Sequence, residues 1–121
     1  MNYKAFNEFC GSLRATSHVV QWGGSHVWKV AGKVFAIGGW EKSGKPAFTF
    51  KTSESDFLFF SDEPGYRPAP YFANRGMKWI QLCDLALTGE DMLLHFLKKS
   101  HRIVSLGLSK KKQKELGLNQ D

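Results

Sequence analysis

Apolar residues at the start of the chain recur with the period of a helix. Between positions 3 and 13 they fall at i, i+3, i+4 and i+7, which places on one helical face Phe6, Phe9, Cys10 and Leu13. After Ser17 the pattern changes, because the segment from His18 to Trp22 is rich in β-branched residues and ends at Gly23-Gly24. The sequence therefore predicts an amphipathic helix, then a strand and a tight turn.

The next two apolar segments are separated by a very short link. HVWKV at 26–30 and KVFAIGGW at 33–40 have only Ala31-Gly32 between them, and a two-residue link that contains glycine is typical of a β-hairpin. A register that starts at this link predicts the cross-strand pairs Val30–Lys33, Trp28–Phe35 and His26–Ile37. Two further strands are predicted at AFTFKT (47–52) and at MKWIQL (77–82), where the side chains alternate between two faces.

Two helices are predicted in the second half from their capping residues. Ser53 is expected to cap a short helix that runs to Ser61, with Glu54 and Asp56 in its first turn, where the helix dipole favours negative charge. A long helix is expected from Thr88, which with Asp91 resembles a capping box, to about Leu106. The apolar face of that helix is traced by Leu93, Phe96, Leu97 and Val104.

This order of elements predicts one α+β domain over residues 1–108. Short links favour antiparallel neighbours, so we expect an antiparallel sheet with helices packed on one face and with the N- and C-terminal helices flanking the strands. Residues 109–121 are charged and are expected to form a flexible basic tail. No internal repeat and no linker between two domains is visible in the sequence.

Charge is concentrated at the C-terminal end. The chain of 121 residues has a formal net charge of +6, and residues 95–121 contribute seven Lys or Arg against two acidic residues, a balance of +5. A basic segment of this kind attracts phosphates without specificity, or acts simply as a solubilising end. No apolar run approaches the roughly 20 residues that span a bilayer. Cys10 and Cys83 do not make a disulfide framework, so we expect a cytoplasmic monomer with two reduced cysteines.

The sequence contains few features that are typical of an enzyme. It has no GxSxG motif, no phosphate-cradling glycine loop and no HExxH motif. His95 and His101 are six positions apart, not the three or four that align two metal ligands on a helix. His18 and His26 flank the first strand and are expected to be ordinary surface or half-buried residues. We therefore expect no catalytic residue, no metal and no cofactor.

The segment DEPGYRPAPYFANRGMKWIQL at 62–82 is the most distinctive part of the chain. Pro64, Pro68 and Pro70 fix the backbone and are expected to hold cations and aromatic rings on a stiff, exposed ribbon. Rigid cations beside flat rings suit an anionic partner with stackable bases. The alternative interpretation is that the prolines brace a crossover and the rings cover the edge of the core.

If the partner is nucleic acid, cations on the ribbon, the hairpin and the last helix would contact phosphates and two rings would stack on bases. The predicted contact residues are Lys33, Arg67, Tyr71, Arg75, Lys78, Trp79, Lys98 and Lys99. Nothing in the chain is similar to a recognition helix rich in Arg, Asn and Gln, so we expect the protein to read shape and charge more than sequence. The ribbon at 64–79 also suits a protein or peptide partner, or a small-molecule pocket near Tyr71 and Trp79.

Several segments, in the same order, resemble the MmcQ/YjbR family of small bacterial proteins, commonly described as DNA-binding-like. The resemblance is carried by FNEFCGSL (6–13), VVQWG (19–23), HVWKVAGKVFAI (26–37), FKTS (50–53), PGYRPAPYFANRGMKWIQL (64–82) and LLHFLKKSHRIV (93–104). It implies a compact frataxin-like (CyaY-like) fold and a double-wing mode of DNA contact. Iron binding of the frataxin kind needs an acidic ridge, and the first helix offers only Glu8.

Overall fold

The computed structural model describes residues 1–39 and 44–120. The predicted end of the third strand, Trp40, lies outside the described residues. Within them the chain forms twelve elements: α1 (Tyr3–Ser12), β1 (Thr16–Gln21), β2 (Ser25–Val30), β3 (Lys33–Gly38), β4 (Phe48–Lys51), α2 (Glu54–Phe60), β5 (Tyr66–Pro68), a 3-10 helix (Ala73–Arg75), β6 (Trp79–Leu82), α3 (Leu85–Thr88), α4 (Glu90–Leu106) and α5 (Lys110–Leu116).

The strands form one six-stranded sheet in the order β1-β2-β3-β4-β6-β5, and every neighbouring pair is antiparallel. Three helices pack on the same face, where rings of α1 and α4 meet the rings that β4 presents and a ring of α2 meets a ring of α4. Phe6 of α1 lies with its ring centroid 5.2 Å from that of Phe48, and Phe96 of α4 stacks on Phe50 at 4.9 Å. Phe60 of α2 contacts Phe96 edge to face, also at 4.9 Å. The predicted α+β sheet with helices on one face is confirmed.

The structure adds an edge strand that the sequence did not predict. Residues Tyr66–Pro68 pair with β6, so the first part of the proline-rich segment belongs to the sheet. Pro68 has no N–H to donate, and an edge strand is where a sheet tolerates proline. The chain then turns inward at Ala69, which is fully buried and donates its N–H to the carbonyl of Trp79 at 2.9 Å.

The hairpin register predicted for β2 and β3 is wrong from Trp28 onward, after the pairs Val30–Lys33 and Lys29–Val34. Val30 pairs with Lys33 as expected, but a β-bulge then shifts the register, so that Trp28 pairs with Ala36 and not with Phe35. A bulge inserts one extra residue into one of the two strands. Both Phe35 and Ala36 therefore join the buried core.

Ser100 of α4 hydrogen-bonds to β3 and β4 at the end of the ladder between them. Its buried hydroxyl donates to the carbonyl of Phe35 at 2.6 Å and accepts the N–H of Lys51 at 2.9 Å. A helix side chain thus bridges the two strands just beyond their last pair, Ala36–Phe50. This matters energetically because an unpaired buried backbone group costs about 1–3 kcal/mol.

The cap predicted for α2 is confirmed, and the cap predicted for α4 is wrong. Ser53 accepts the N–H of Asp56 at 3.2 Å, and Glu54 and Asp56 occupy the first turn. In contrast, Thr88 ends the short helix α3, and α4 begins after Gly89 without a side-chain cap. Gly89 has φ +85°, a left-handed value that glycine adopts without strain, so backbone geometry replaces the capping box.

The last 12 described residues do not form the frayed tail that their charge suggested. Ser109 caps α5 by accepting the N–H of Lys112 at 3.1 Å, and Leu118 is buried in the main core. Gln113 is also buried, and its amide donates to the carbonyl of Leu108 at 2.8 Å. Two apolar side chains, Leu116 and Leu118, and one buried amide dock a segment that is otherwise highly charged.

Candidate functional site

The eight predicted contact residues do not lie on one surface. They are distributed over the β2–β3 turn (Lys33), the sheet face opposite the helices (Arg67, Trp79), the segment after β5 (Tyr71, Arg75, Lys78) and helix α4 (Lys98, Lys99). Lys33 is exposed at its turn.

Arg67 holds the sheet together on the face opposite the helices. Its Nε donates to Oε1 of Gln81 at 2.8 Å, and its Nη2 donates to the same oxygen. Gln81 is fully buried, and its amide nitrogen donates to the hydroxyl of Thr49 at 3.2 Å. The three side chains form a polar row across β5, β6 and β4. The guanidinium therefore has a structural role that differs from the exposed phosphate contact we predicted.

Trp79 does not provide the stacking surface that the sequence predicted. Only 4% of the residue is exposed, and its ring stacks on Phe72 with centroids 4.6 Å apart. The indole Nε1 is buried and has no hydrogen-bond partner among the described residues. With one face of the ring covered and the rest enclosed, a base cannot stack on it. The buried ring of Trp79 agrees with the alternative interpretation, in which the rings of this segment cover the edge of the core.

Tyr71 and Arg75 do form an exposed aromatic–cation pair. Tyr71 is 52% exposed, and the guanidinium carbon of Arg75 lies 4.4 Å from the centre of its ring. The backbone between them is closed by hydrogen bonds from Ala73 N to Ala69 O at 3.0 Å and from Met77 N to Phe72 O at 3.1 Å. Tyr71 has φ +74°, which is uncommon for a residue other than glycine. The side chains of Tyr71 and Arg75 are thus exposed at this turn, as the sequence indicated.

Lys78 follows the same turn but points toward α2. Its Nζ lies 5.0 Å from the centre of the Phe57 ring, so the ammonium is partly occupied by a cation–π contact. The backbone carbonyl of Lys78 accepts the N–H of Thr52 at 2.9 Å. Lys78 is half-buried, and it links the ribbon to the helix layer more than it faces solvent.

The two adjacent lysines of α4 have different surroundings. The ammonium of Lys99 lies 2.7 Å from Oδ2 of Asp56, an ion pair between α4 and α2. Lys98 is exposed and shares its stripe with His95 and Arg102, at i−3 and i+4. Only Lys98 of the two predicted residues therefore presents its charge to solvent without a carboxylate at hydrogen-bonding distance in the described chain.

Helix α4, the end of α1 and the C-terminal segment together form what we call the basic groove. Its volume is about 380 Å³, and it is lined by Leu13, His95, Lys98, Lys99, His101, Arg102 and Asn119. This lining contains no carboxylate. The prediction included Lys98 and Lys99 but omitted Arg102 and His95, although the spacing 95, 98, 102 places all three on one helical face.

The walls of the basic groove are held by hydrogen bonds within the protein. Nε2 of His101 donates to the carbonyl of Arg14 at 2.8 Å, which joins α4 to the turn after α1. The amide nitrogen of Asn119 donates to Ser105 Oγ and to Gln113 Oε1, each at 3.0 Å. The C-terminal segment thus shapes one wall, a contribution that sequence reasoning missed because it treated the segment as flexible.

The described residues include no group of three or more His, Cys, Asp and Glu side chains that could hold a metal ion. Both cysteines are free, and burial raises the pKa of the Cys10 thiol far above its usual range. None of the helices in the described part of the chain combines the length and the apolar character that crossing a bilayer requires.

A six-stranded antiparallel sheet with helices on one face and a basic groove along its long helix defines the class as a small α+β protein. A model of the YjbR family matches residues 11–103, so the chain belongs to the YjbR family. The matched region includes the Tyr71–Arg75 turn and the groove residues of α4, and it ends before α5. The family resemblance read from the sequence is confirmed.

The fold is shared with a known structure. The chain is similar to the crystal structure of the Deinococcus radiodurans protein DR2400, described with the family-model domain DUF419, with a TM-score of 0.83 and 16% sequence identity. The alignment covers 99% of this chain and 91% of that one. At this identity the similarity establishes the arrangement of helices and strands alone, and the frataxin-like topology stays a prediction. No curated protein matches the chain.

Proposed function

We propose that this protein is a non-enzymatic nucleic-acid-binding protein that contacts phosphates through the basic groove. The observation that carries the proposal is the groove itself, a concave surface of about 380 Å³ with cationic and imidazole side chains and no carboxylate in its lining. Lys98 and Arg102 are exposed along it. Fixed cations beside a groove are the usual way in which a protein follows a phosphate backbone.

The charge around the groove supports the same proposal. Residues 95–121 contribute +5 of the net charge of +6. The lysines of α5 are exposed beside the C-terminal wall, and because α5 is docked by Leu118 their charge is held near the groove. Such an asymmetric field raises the association rate with polyanions and makes it salt-dependent.

The groove favours recognition of backbone over recognition of bases. The amide nitrogen of Asn119 already donates to Ser105 and Gln113, and Nε2 of His101 already donates to Arg14. Lys98 and Arg102 remain as the principal donors. They suit phosphate oxygens, which carry no sequence information. We therefore propose binding with little base-specific readout.

Fluorescence anisotropy of labelled DNA tests this proposal. The double variant Lys98→Ala/Arg102→Ala is expected to weaken binding and to flatten the slope of log K against log salt by about 2, since each lost phosphate contact removes about 0.9 from the slope on duplex DNA. The measurement is a titration of duplex and single-stranded DNA from low to physiological salt.

The matched control is Lys4→Ala/Arg75→Ala, which removes the same two residue types and the same charge from exposed positions elsewhere. Equal loss of affinity in both double variants would show that net charge, and not the groove, governs binding. Deletion of residues 109–121 is not a clean comparison, because it removes Leu118 from the core. Substitution of Lys110, Lys111 and Lys112 by glutamine leaves that anchor in place.

A second candidate function is supported by the Tyr71–Arg75 turn. A rigid, exposed tyrosine under an arginine has the composition of a protein-interaction hot spot. An arginine fork matches a carboxylate, so a peptide rich in Asp or Glu is the partner this turn would fit. An array of acidic peptides is expected to bind the protein and to lose most of that binding with Tyr71→Ser/Arg75→Ala. Unchanged binding would exclude the turn as the contact.

A further inference from the structure

A row of polar side chains connects helix α1 to strands β1 and β2 near the N-terminal end of the fold. The indole Nε1 of Trp28 donates to Oδ1 of Asn7 at 2.8 Å. The amide nitrogen of Asn7 lies 3.4 Å from Nδ1 of His26, and that nitrogen lies 3.1 Å from Nε2 of His18. Four side chains from three elements thus form one continuous series of polar contacts.

The chemistry of these groups fixes where the protons lie. An indole N–H can only donate, so Asn7 must present its oxygen to Trp28 and its amide nitrogen to His26. The Nδ1 atom of His26 then faces an N–H and accepts, which places the His26 proton on Nε2. His18 must in turn donate through its Nε2. The hydrogen-bond roles of both imidazoles follow from one tryptophan.

The two imidazoles meet edge to edge. Their centroids are 5.3 Å apart, their planes differ by 18°, and the joined nitrogens are 3.1 Å apart. For a given distance between the joined nitrogens, the centroid separation is greatest when both nitrogens lie on the line between the ring centres. The observed 5.3 Å is close to that greatest value, so both nitrogens lie near this line. That is the geometry of a linear N–H···N hydrogen bond with one shared proton. A metal ion would need the nitrogens to point at a common third position.

The surroundings make a second proton on the pair unfavourable. His26 Nδ1 receives two donors, so a proton there would face both Asn7 and His18. The pKa of His18 is lowered, first by desolvation and second by the charge of His26. The other titratable or charged groups of α1 beside the pair are Tyr3, whose ring centroid lies 5.5 Å from that of His26, and the exposed Lys4 and Glu8.

We propose that His18 and His26 form an acid-sensitive clasp, closed when one proton lies between the two rings and opened when both facing nitrogens are protonated. Opening removes the acceptor of His18 and of Asn7, so the contacts of His26 with both side chains are lost, while the hydrogen bond from Trp28 to Asn7 remains. Trp28 stacks on His18 with centroids 4.9 Å apart, so the change extends to a residue of the core.

The sign of the pH effect follows from His18. A base whose pKa is lowered on folding contributes stability above its ordinary pKa of 6.5, and that contribution is lost as the pH falls through the lowered value. The clasp is therefore closed at neutral pH and opens in mild acid. Histidine is the side chain whose charge changes in this range.

NMR titration of the four histidine side chains in the full chain tests the clasp. His18 is expected to titrate below the ordinary histidine pKa of 6.5, and its resonances are expected to shift in two steps because a second imidazole is hydrogen-bonded to it. Single-step titration of His18 at or above pH 6.5 would overturn the proposal. This readout needs no variant.

A second measurement follows melting temperature against pH. Gln at position 26 keeps an acceptor for both donors and cannot titrate. The melting temperature of His26→Gln is therefore expected to fall less than that of the wild type between neutral pH and pH 5. His95→Gln serves as the control and is expected to follow the wild type. If His26→Gln and wild type lose melting temperature in parallel, the pair does not respond to acid.

Discussion

Replacing Phe96 by alanine is expected to lower the free energy of unfolding by about 3–5 kcal/mol. Phe96 is 2% exposed and occupies the centre of the helix layer. Its ring stacks on Phe50 with planes 13° apart and meets Phe60 edge to face, with both centroid distances 4.9 Å. Alanine would leave a cavity between α2, α4 and the sheet. Urea unfolding monitored by circular dichroism measures the change.

Phe59→Ala is the matched control for this prediction. Phe59 is 63% exposed, and its ring centroid lies 4.9 Å from that of Phe60. Truncation of an exposed ring leaves no cavity, so the expected cost is below about 1 kcal/mol. Similar costs for the two variants would mean that the helices are not assembled around Phe96.

Replacing Arg67 by alanine is expected to lower the free energy of unfolding by about 1.5–3 kcal/mol. The loss arises because Oε1 of the fully buried Gln81 would no longer receive the guanidinium that now donates to it. The effect on DNA binding is expected to be small, in contrast to the phosphate contact that the sequence indicated. Denaturant unfolding and fluorescence anisotropy on the same protein separate the two roles.

Two variants sharpen this second prediction. Arg75→Ala removes the same charge from an exposed position, where the cation–π contact with Tyr71 is worth no more than about 1 kcal/mol. Arg67→Lys keeps the charge but cannot donate two hydrogen bonds from a planar fork, so only part of the stability is expected to return. A strong loss of DNA affinity in Arg67→Ala with unchanged stability would instead support the phosphate contact that the sequence predicted for Arg67.

Sequence patterns predicted much of the fold because they report local preferences. The period of α1 and α4, the Ser53 cap and the link between β2 and β3 are all local, and each was confirmed. The bulge at Phe35 is not local, since its carbonyl depends on a hydroxyl 65 positions further along the chain. Strand β5 is only three residues long, too short to show a period.

The candidate site likewise combines features that local sequence patterns predict with features that depend on residues far apart in the chain. The basic stripe on α4 was visible from spacing, but the sequence cannot tell Lys98 from its neighbour Lys99, because the difference is made by Asp56, 43 positions away. Likewise Arg67 and Arg75 flank the same ribbon, yet one faces a buried glutamine and the other a tyrosine ring. The docking of the last segment rests on Leu118 in the core and on Leu116 packed against it, two apolar side chains among polar ones.

The hydrogen bonds of Ser100 restrict which changes of length the protein can accept. Ser100 lies one turn after Phe96. The helix therefore fixes the angle between the Ser100 hydroxyl, which bridges β3 and β4, and the Phe96 ring, which fills the helix layer. Inserting or deleting one residue between them would rotate the remainder of α4 by about 100° and withdraw one of the two from the sheet. A change in the length of a loop outside α4 would leave this angular relation intact, whereas a change of one residue within this helical turn would not.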